Sequence, residues 1–337
     1  HASSRPIRPR PMLYTLMAAA VGFGLALVLI FVLEFLDDTI KSTEKLDQAL
    51  NSPALGTIGR IRKPSESSEG LRLRSMVIPW PGGLDPLSIS KGGEEYQGRL
   101  VTRQQASSPV AGDFWAIWSN IQSLMAGRPM GSILVTSAAA GDGKSIIAAN
   151  LGIVMAQAGL KAILVDANLR HPVLHRIFSI SNATGLSDLL REPERQVKEI
   201  LQDPNVDGDL LVLTSGGLPS NPSHLLGSNR MGQIVAELRE WADVVIVDSH
   251  RVSGANDAAL LAKLVDGTLL VIREGQTRMG EAKHAVSSLR LVNANLLGTV
   301  LNARHKGVPW ITAVVRRVRP GDGARVRYKA GLAARDS

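Results

Sequence analysis

Residues 137–145 read Ser-Ala-Ala-Ala-Gly-Asp-Gly-Lys-Ser. That is one position short of the phosphate-binding pattern G-x-x-x-x-G-K-[ST], with Ala138 where the first glycine belongs. Gly141 and Gly143 let the backbone turn successive N–H groups inward as an anion nest, and a helix opening behind them adds its positive end. In such a loop Lys144 reaches the β- and γ-phosphates and the Ser145 hydroxyl binds Mg²⁺. Ala140, Gly141, Asp142, Gly143 and Ile146 complete the expected nucleotide cradle. A divalent cation also needs carboxylates, and two apolar runs end in one. Asp166 closes "AILVD" and Asp248 closes "VVIVD", where a Walker B-like aspartate holds the metal through water. Either could instead cap the turn that follows it. A loop with two such carboxylates points to ATP and Mg²⁺.

These residues meet only if a sheet presents them at one edge. "SILVTS" (132–137) is a β-rich run entering the loop, and "SIIAANLGIVMAQAG" (145–159) is a helix leaving it. Further runs at 161–168, 210–216, 243–250, 267–274 and 296–303 are apolar throughout rather than alternating, as parallel strands covered on both faces should be. Helical patterns lie between them, notably "ANDAALLAKLV" and "RMGEAKHAVSSLRLV". The expectation is a doubly wound α/β domain over 113–303, with its ligand at the carboxyl ends of the strands.

The remaining chain surrounds that domain. Met12–Leu36 carries no charge in its first 22 residues, too long for a signal-peptide core and followed by no small-residue cleavage site. Its 25 residues exceed the roughly 30 Å of bilayer hydrocarbon, so it is expected to be a transmembrane helix. Arg5, Arg8 and Arg10 precede it, while Lys41 and Lys45 follow among Asp37, Asp38 and Glu44, which gives no orientation. An ATP-using domain on the C-terminal side places 37–337 in the cytoplasm, at the inner (plasma) membrane. Residues 1–11, beginning at His1 without a methionine, are expected to be the extracytoplasmic end of a longer chain. Residues 37–63 read as a juxtamembrane helix followed by an extended stretch, and 64–112, with 20 of 49 residues Ser, Gly or Pro, as a flexible linker. Absence of cysteine excludes disulfide scaffolds and thiolate metal sites. Nine Lys/Arg against two Asp in the tail, 304–337, account for nearly all of the net charge of +8. The charge therefore belongs to a membrane-proximal tail suited to anionic lipid, and no specific nucleic acid is expected.

The stretches "VTSAAAGDGKS…AANLG", "ILVDANLRHPVLHRIF", "LTSGGLPSNPSHLLGS", "DVVIVDS…NDAALLAKLVDGTLLVIREGQTR" and "LLGTVLN" resemble the bacterial tyrosine autokinases, the cytoplasmic ATPase half of polysaccharide co-polymerases for capsule and exopolysaccharide. Residues 5–63 are similar to that family's second transmembrane helix and juxtamembrane segment. The resemblance implies a P-loop fold of the MinD/ParA type, with ATP bound by Lys144 and Ser145 and Mg²⁺ held by Ser145, Asp166 and Asp248. It implies Asn302 at the adenine and Asp166 among the carboxylates that activate the tyrosine hydroxyl. It also implies homo-oligomers working with the polysaccharide polymerase and export machinery, and control of polysaccharide chain length.

The chain departs from that pattern at several accessories. The second carboxylate after the strand is Asn168, which cannot accept a proton as a base. The family's Asp-Thr-Pro-Pro is Asp248-Ser249-His250-Arg251, and its assembly helix, E-x-x-R-x-x-R, falls on Gly112, Trp115 and Trp118. The tail holds a single tyrosine, Tyr328. A non-catalytic ATP-binding scaffold of the same assembly is therefore the alternative. A partitioning-type ATPase comes third, since those place a second lysine where this chain has Ala139. His171 and His175, at i, i+4, could pair on a metal but have no evident third ligand.

Overall fold

The computed structural model describes residues 11–35, 38–61, 100, 102, 108–125 and 131–304. Expectations for the rest of 64–107, for the tail beyond Arg304 with Tyr328, and for residues 1–10 lie outside the described residues.

Four apolar runs become strands whose residues are almost all buried: β2 (Ser132–Ser137), β3 (Ala162–Asp166), β5 (Val244–Asp248) and β6 (Gly267–Arg273). With β1 (Ala54–Gly59), β4 (Leu210–Leu213) and β7 (Leu296–Arg304) they make one seven-stranded sheet, ordered β1-β7-β6-β2-β5-β3-β4, every pairing parallel. Helices cover both faces, which is why the strands carry no polar side. One core joins Ile40, Leu46, Met231, Leu238, Ala282 and Leu289 to the sheet; the other joins Phe114, Ile117, Ile147, Leu151 and Ile177 to its opposite face. The doubly wound α/β expectation holds.

The domain is larger than 113–303. Residues 37–63, set apart as a juxtamembrane segment, supply α2 (Thr43–Leu50) and the edge strand β1, whose Ala54 pairs with Thr299 and Gly59 with Arg304. Helix α3 (Pro109–Leu124) lies over β1. Gly56 has no Cβ because Ile117 occupies that space, Asn120 donates to the Leu55 carbonyl at 2.8 Å, and Asp113 accepts the Gly59 N–H at 2.9 Å. The linker expected over 64–112 also ends early. Ser108 caps α3 by accepting the Ala111 N–H at 3.1 Å, and Pro109 opens the helix, so a Ser-Pro pair that counted toward loop composition is a helix start. Leu100 and Thr102 are buried, and the Thr102 hydroxyl donates to Asn150 at 2.9 Å.

Helix α1 (Pro11–Phe35) is apolar all round, and none of its window Thr15–Val32, with mean hydropathy 2.5, is buried among the described residues. It is long and apolar enough to cross a membrane.

Candidate nucleotide-binding site

Strand β2 sits between β6 and β5, and the loop leaves its carboxyl end to open α4 (Lys144–Gln157). Gly141 and Gly143 have φ of 82° and 94°, the left-handed region that a nest requires. Gly143 also caps α4, and a Cβ there would run into the Asn302 amide. Ala138 keeps a negative φ and is fully buried, its N–H donating to the Val271 carbonyl at 3.3 Å. The missing first glycine therefore costs no backbone strain.

The two strand-end carboxylates are register partners on adjacent strands, Asp166 opposite Asp248, and both are fully buried. Burial pushes both carboxyls up, and the neighbouring Asp248 charge pushes Asp166 further. Their partners differ. Asp166 Oδ2 accepts the N–H groups of Val173 and Leu174 at 3.0 Å each, and its Oδ1 accepts that of Asn168 at 3.3 Å. Asp248 has no hydrogen-bond partner on either oxygen among the described residues, although Lys144 and Ser145 lie close enough to draw its carboxyl back down. A buried carboxylate without partners fits a cation, and a hydroxyl beside it fits Mg²⁺ in particular. Asp166, by contrast, anchors the start of α5 (Leu174–Phe178) as well as standing beside that position.

A cavity of about 290 Å³ opens beside the nest, lined on the loop side by residues including Ala140, Gly141, Lys144, Ser145 and Ile146. Asn168, His171, His250 and Arg251 also line it, while the buried Asp166 and Asp248 do not. Asn168 is committed: its Nδ2 donates to the His171 carbonyl at 2.8 Å, which turns Oδ1 toward His250 Nδ1 at 3.2 Å. An amide oxygen only accepts, so the His250 proton sits on Nδ1. Burial and the Lys144 charge push His250 down to about 4, leaving the imidazole neutral.

Behind the loop lies a support that motif matching does not reveal. The Asp142 side chain turns inward, 1% exposed, accepting the Ala139 N–H and the Thr277 hydroxyl at 2.7 Å each. Burial raises its carboxyl to about 6. Arg273 Nη1 donates to the Gly141 carbonyl at 2.9 Å. The same 275–279 turn is strapped by the chain just after α1, with Ile40 N–H donating to Thr277 O at 3.1 Å and Met279 N–H to Asp38 O at 3.0 Å. A lone "GQTR" turn carries no sequence signal for this role.

Several expected residues stand elsewhere. Asp142 is a prop for the loop through its carboxylate and does not line the cavity. The Asn302 amide donates to the Asp142 carbonyl at 2.6 Å and fills the space beside Gly143. His171 and His175 do not share a helical face, since α5 begins only at Leu174. His171 faces His250, ring centroids 5.8 Å apart, and no cluster of three metal-ligating side chains occurs among the described residues. Trp118 is buried in the core and Trp115 is 39% exposed.

Residues 133–330 match the family described as the CobQ/CobB/MinD/ParA nucleotide binding domain. The chain is 35% identical over 212 residues to the tyrosine-protein kinase YwqD of Bacillus subtilis (strain 168), covering 63% of this chain and 89% of that protein. It is 26% identical over 306 residues to the tyrosine-protein kinase etk of Escherichia coli (strain K12), covering 88% of this chain but only 39% of that longer protein. The crystal structure of the chimerical protein CapA2B2 superposes with a TM-score of 0.65 at 30% identity, over 79% of this chain and all of the other. With its nest, its paired strand-end aspartates and these likenesses, the chain belongs to the bacterial tyrosine-kinase family, on a P-loop nucleotide-binding domain of the CobQ/CobB/MinD/ParA kind.

Proposed function

We propose that the chain is the membrane-anchored ATP-binding part of a tyrosine autokinase that regulates chain length, polymerisation and export of a capsular or exopolysaccharide. The observation that carries this reading is Asp248, fully buried, with neither oxygen hydrogen-bonded among the described residues, and with Lys144 and Ser145 close enough to act on its carboxyl. Such a carboxylate is costly unless a cation answers it. Ser145, Asp248 and the acceptor capacity left on Asp166 would hold Mg²⁺, which when bound with ATP would supply neutralisation of the phosphate charge. Lys144 and the nest N–H groups position the terminal phosphates, while Asp166, with its carboxyl raised by burial, is the acceptor available for a tyrosine proton. Helix α1 holds residues 37–337 on the cytoplasmic side of the plasma membrane. The expected partners are further copies of the chain, the polysaccharide polymerase and export machinery, and anionic lipid at the basic tail.

The second reading, an ATP-binding scaffold without kinase chemistry, is favoured by Asn168, whose amide is tied to His171 and His250 and cannot take a proton. One experiment separates the two. The full chain in detergent is given Mg²⁺ and ATP, and binding and phosphotyrosine are measured beside Lys144→Ala. Lys144-dependent binding with phosphotyrosine supports the kinase; binding without it leaves the scaffold; no binding sinks both.

A further inference from the structure

We infer that Arg251 is a second phosphate-binding cation of the nucleotide cavity, engaging the terminal phosphate of a nucleoside triphosphate and favouring tri- over diphosphate. The inference rests on the ATP reading above and specifies which end of the ligand one residue meets.

Position is the first ground. Arg251 lines the same cavity as Lys144, from the loop that follows β5, three residues beyond Asp248. In phosphate-loop sites the nest takes the inner phosphates, while a metal beside the strand-end aspartate bridges β- and γ-oxygens. Arg251, three residues past that aspartate and lining the cavity together with Lys144, is placed to meet the γ end.

Charge is the second. None of the cavity's lining residues is Asp or Glu. Three arginines of the domain have an acidic partner, Arg170 with Asp257 at 2.7 Å, Arg195 with Glu192 at 3.0 Å and Arg239 with Asp266 at 3.3 Å. Among the described residues no acidic side chain pairs with Arg251. Two cations on one cavity of about 290 Å³ repel unless an anion lies between them, and a guanidinium fork matches a phosphate bidentately.

Local backbone is the third. Arg251 has φ of −61° and ψ of 148° and opens the short 3₁₀ turn Val252–Gly254. A Cβ at Gly254 would strike both Arg251 Nε and His250 Nε2, so the glycine is what allows guanidinium and imidazole to lie together over the turn.

The test is the affinity of the full chain for ATP and for ADP, each with Mg²⁺, in wild type, Arg251→Ala and Arg251→Gln. Loss of a charge-assisted contact to one phosphate is expected to weaken ATP about tenfold or more and ADP less than about threefold. The glutamine variant keeps the side-chain stem and carries the same expectation, so a folding failure of the alanine variant leaves the test in force. Equal losses for ATP and ADP, or no loss, overturn the role of Arg251 while the nucleotide reading stands. A wild-type chain that binds neither overturns both.

Discussion

Replacing Thr277 with valine removes one hydroxyl and leaves the shape nearly unchanged, which isolates the support beneath the phosphate loop. Thr277 is fully buried; it donates to Asp142 Oδ1 at 2.7 Å and accepts the Arg273 N–H at 3.0 Å. Losing a hydrogen bond to a charged acceptor costs about 1.5–3 kcal/mol, and an orphaned buried N–H adds about 1 kcal/mol or more. A total of about 3 kcal/mol corresponds to a fall in Tm of roughly 6–12 °C for a domain of this size. The loss should depend on pH. Burial raises Asp142 to about 6, against the pull of the Ala139 N–H and the Thr277 hydroxyl, both of which favour the ionised form. Removing the hydroxyl raises the folded pKa further while the unfolded value stays where it was, so the variant's deficit grows as pH rises through about 6. At pH 5, where Asp142 is protonated in both proteins, only the weaker neutral contact is lost, about 1 kcal/mol. Thermal unfolding of the full chain in detergent at pH 5 and pH 8 reads this directly. Equal shifts at the two pH values, or no shift at pH 8, would refute the placement of Asp142 as a buried, ionised prop.

Gly143→Ala should destabilise the domain by about 1–3 kcal/mol and abolish ATP binding, because φ of 94° is strained for alanine and its Cβ meets the Asn302 amide; a wild-type Tm would contradict this. Asp248→Asn should stabilise the ligand-free chain at pH 8 by about 1–3 kcal/mol while weakening Mg²⁺-dependent ATP binding tenfold or more. Burial raises the Asp248 carboxyl, so its ionisation costs stability as pH rises, and the amide removes that cost. The gain should fall to about half at pH 5, because the cost builds between the ordinary carboxylate value and the raised one of about 6, and a Tm unchanged at pH 8 would count against it.

The chemistry-bearing groups were legible because they depend on residue type and spacing. Lys144 and Ser145 follow a strand and open a helix, and Asp166 and Asp248 end apolar runs, so one sheet edge collects them. The cap at Ser108-Pro109 was equally local, and only its composition hid it. What sequence spacing could not show was which way each side chain turns. Asp142 carries the residue type of a ligand contact, yet its carboxylate points into the domain, and the Asn302 amide is bonded to the Asp142 carbonyl.

The amino-acid sequence by itself determined the alternation of buried strands and helices, the phosphate loop with its two aspartates, and an apolar run long enough to cross a membrane. Each is written in neighbouring residues, through hydrophobic periodicity and the needs of glycine. Only the tertiary structure decided that β1 completes the sheet against β7, some 240 residues away, and that the 38–40 segment straps the Thr277 turn. Only it decided that Asp166 gives most of its lone pairs to backbone N–H groups while Asp248 keeps both oxygens open among the described residues. Those outcomes depend on strand register and on packing between distant segments, and register decides which buried group finds a partner and which must wait for a ligand.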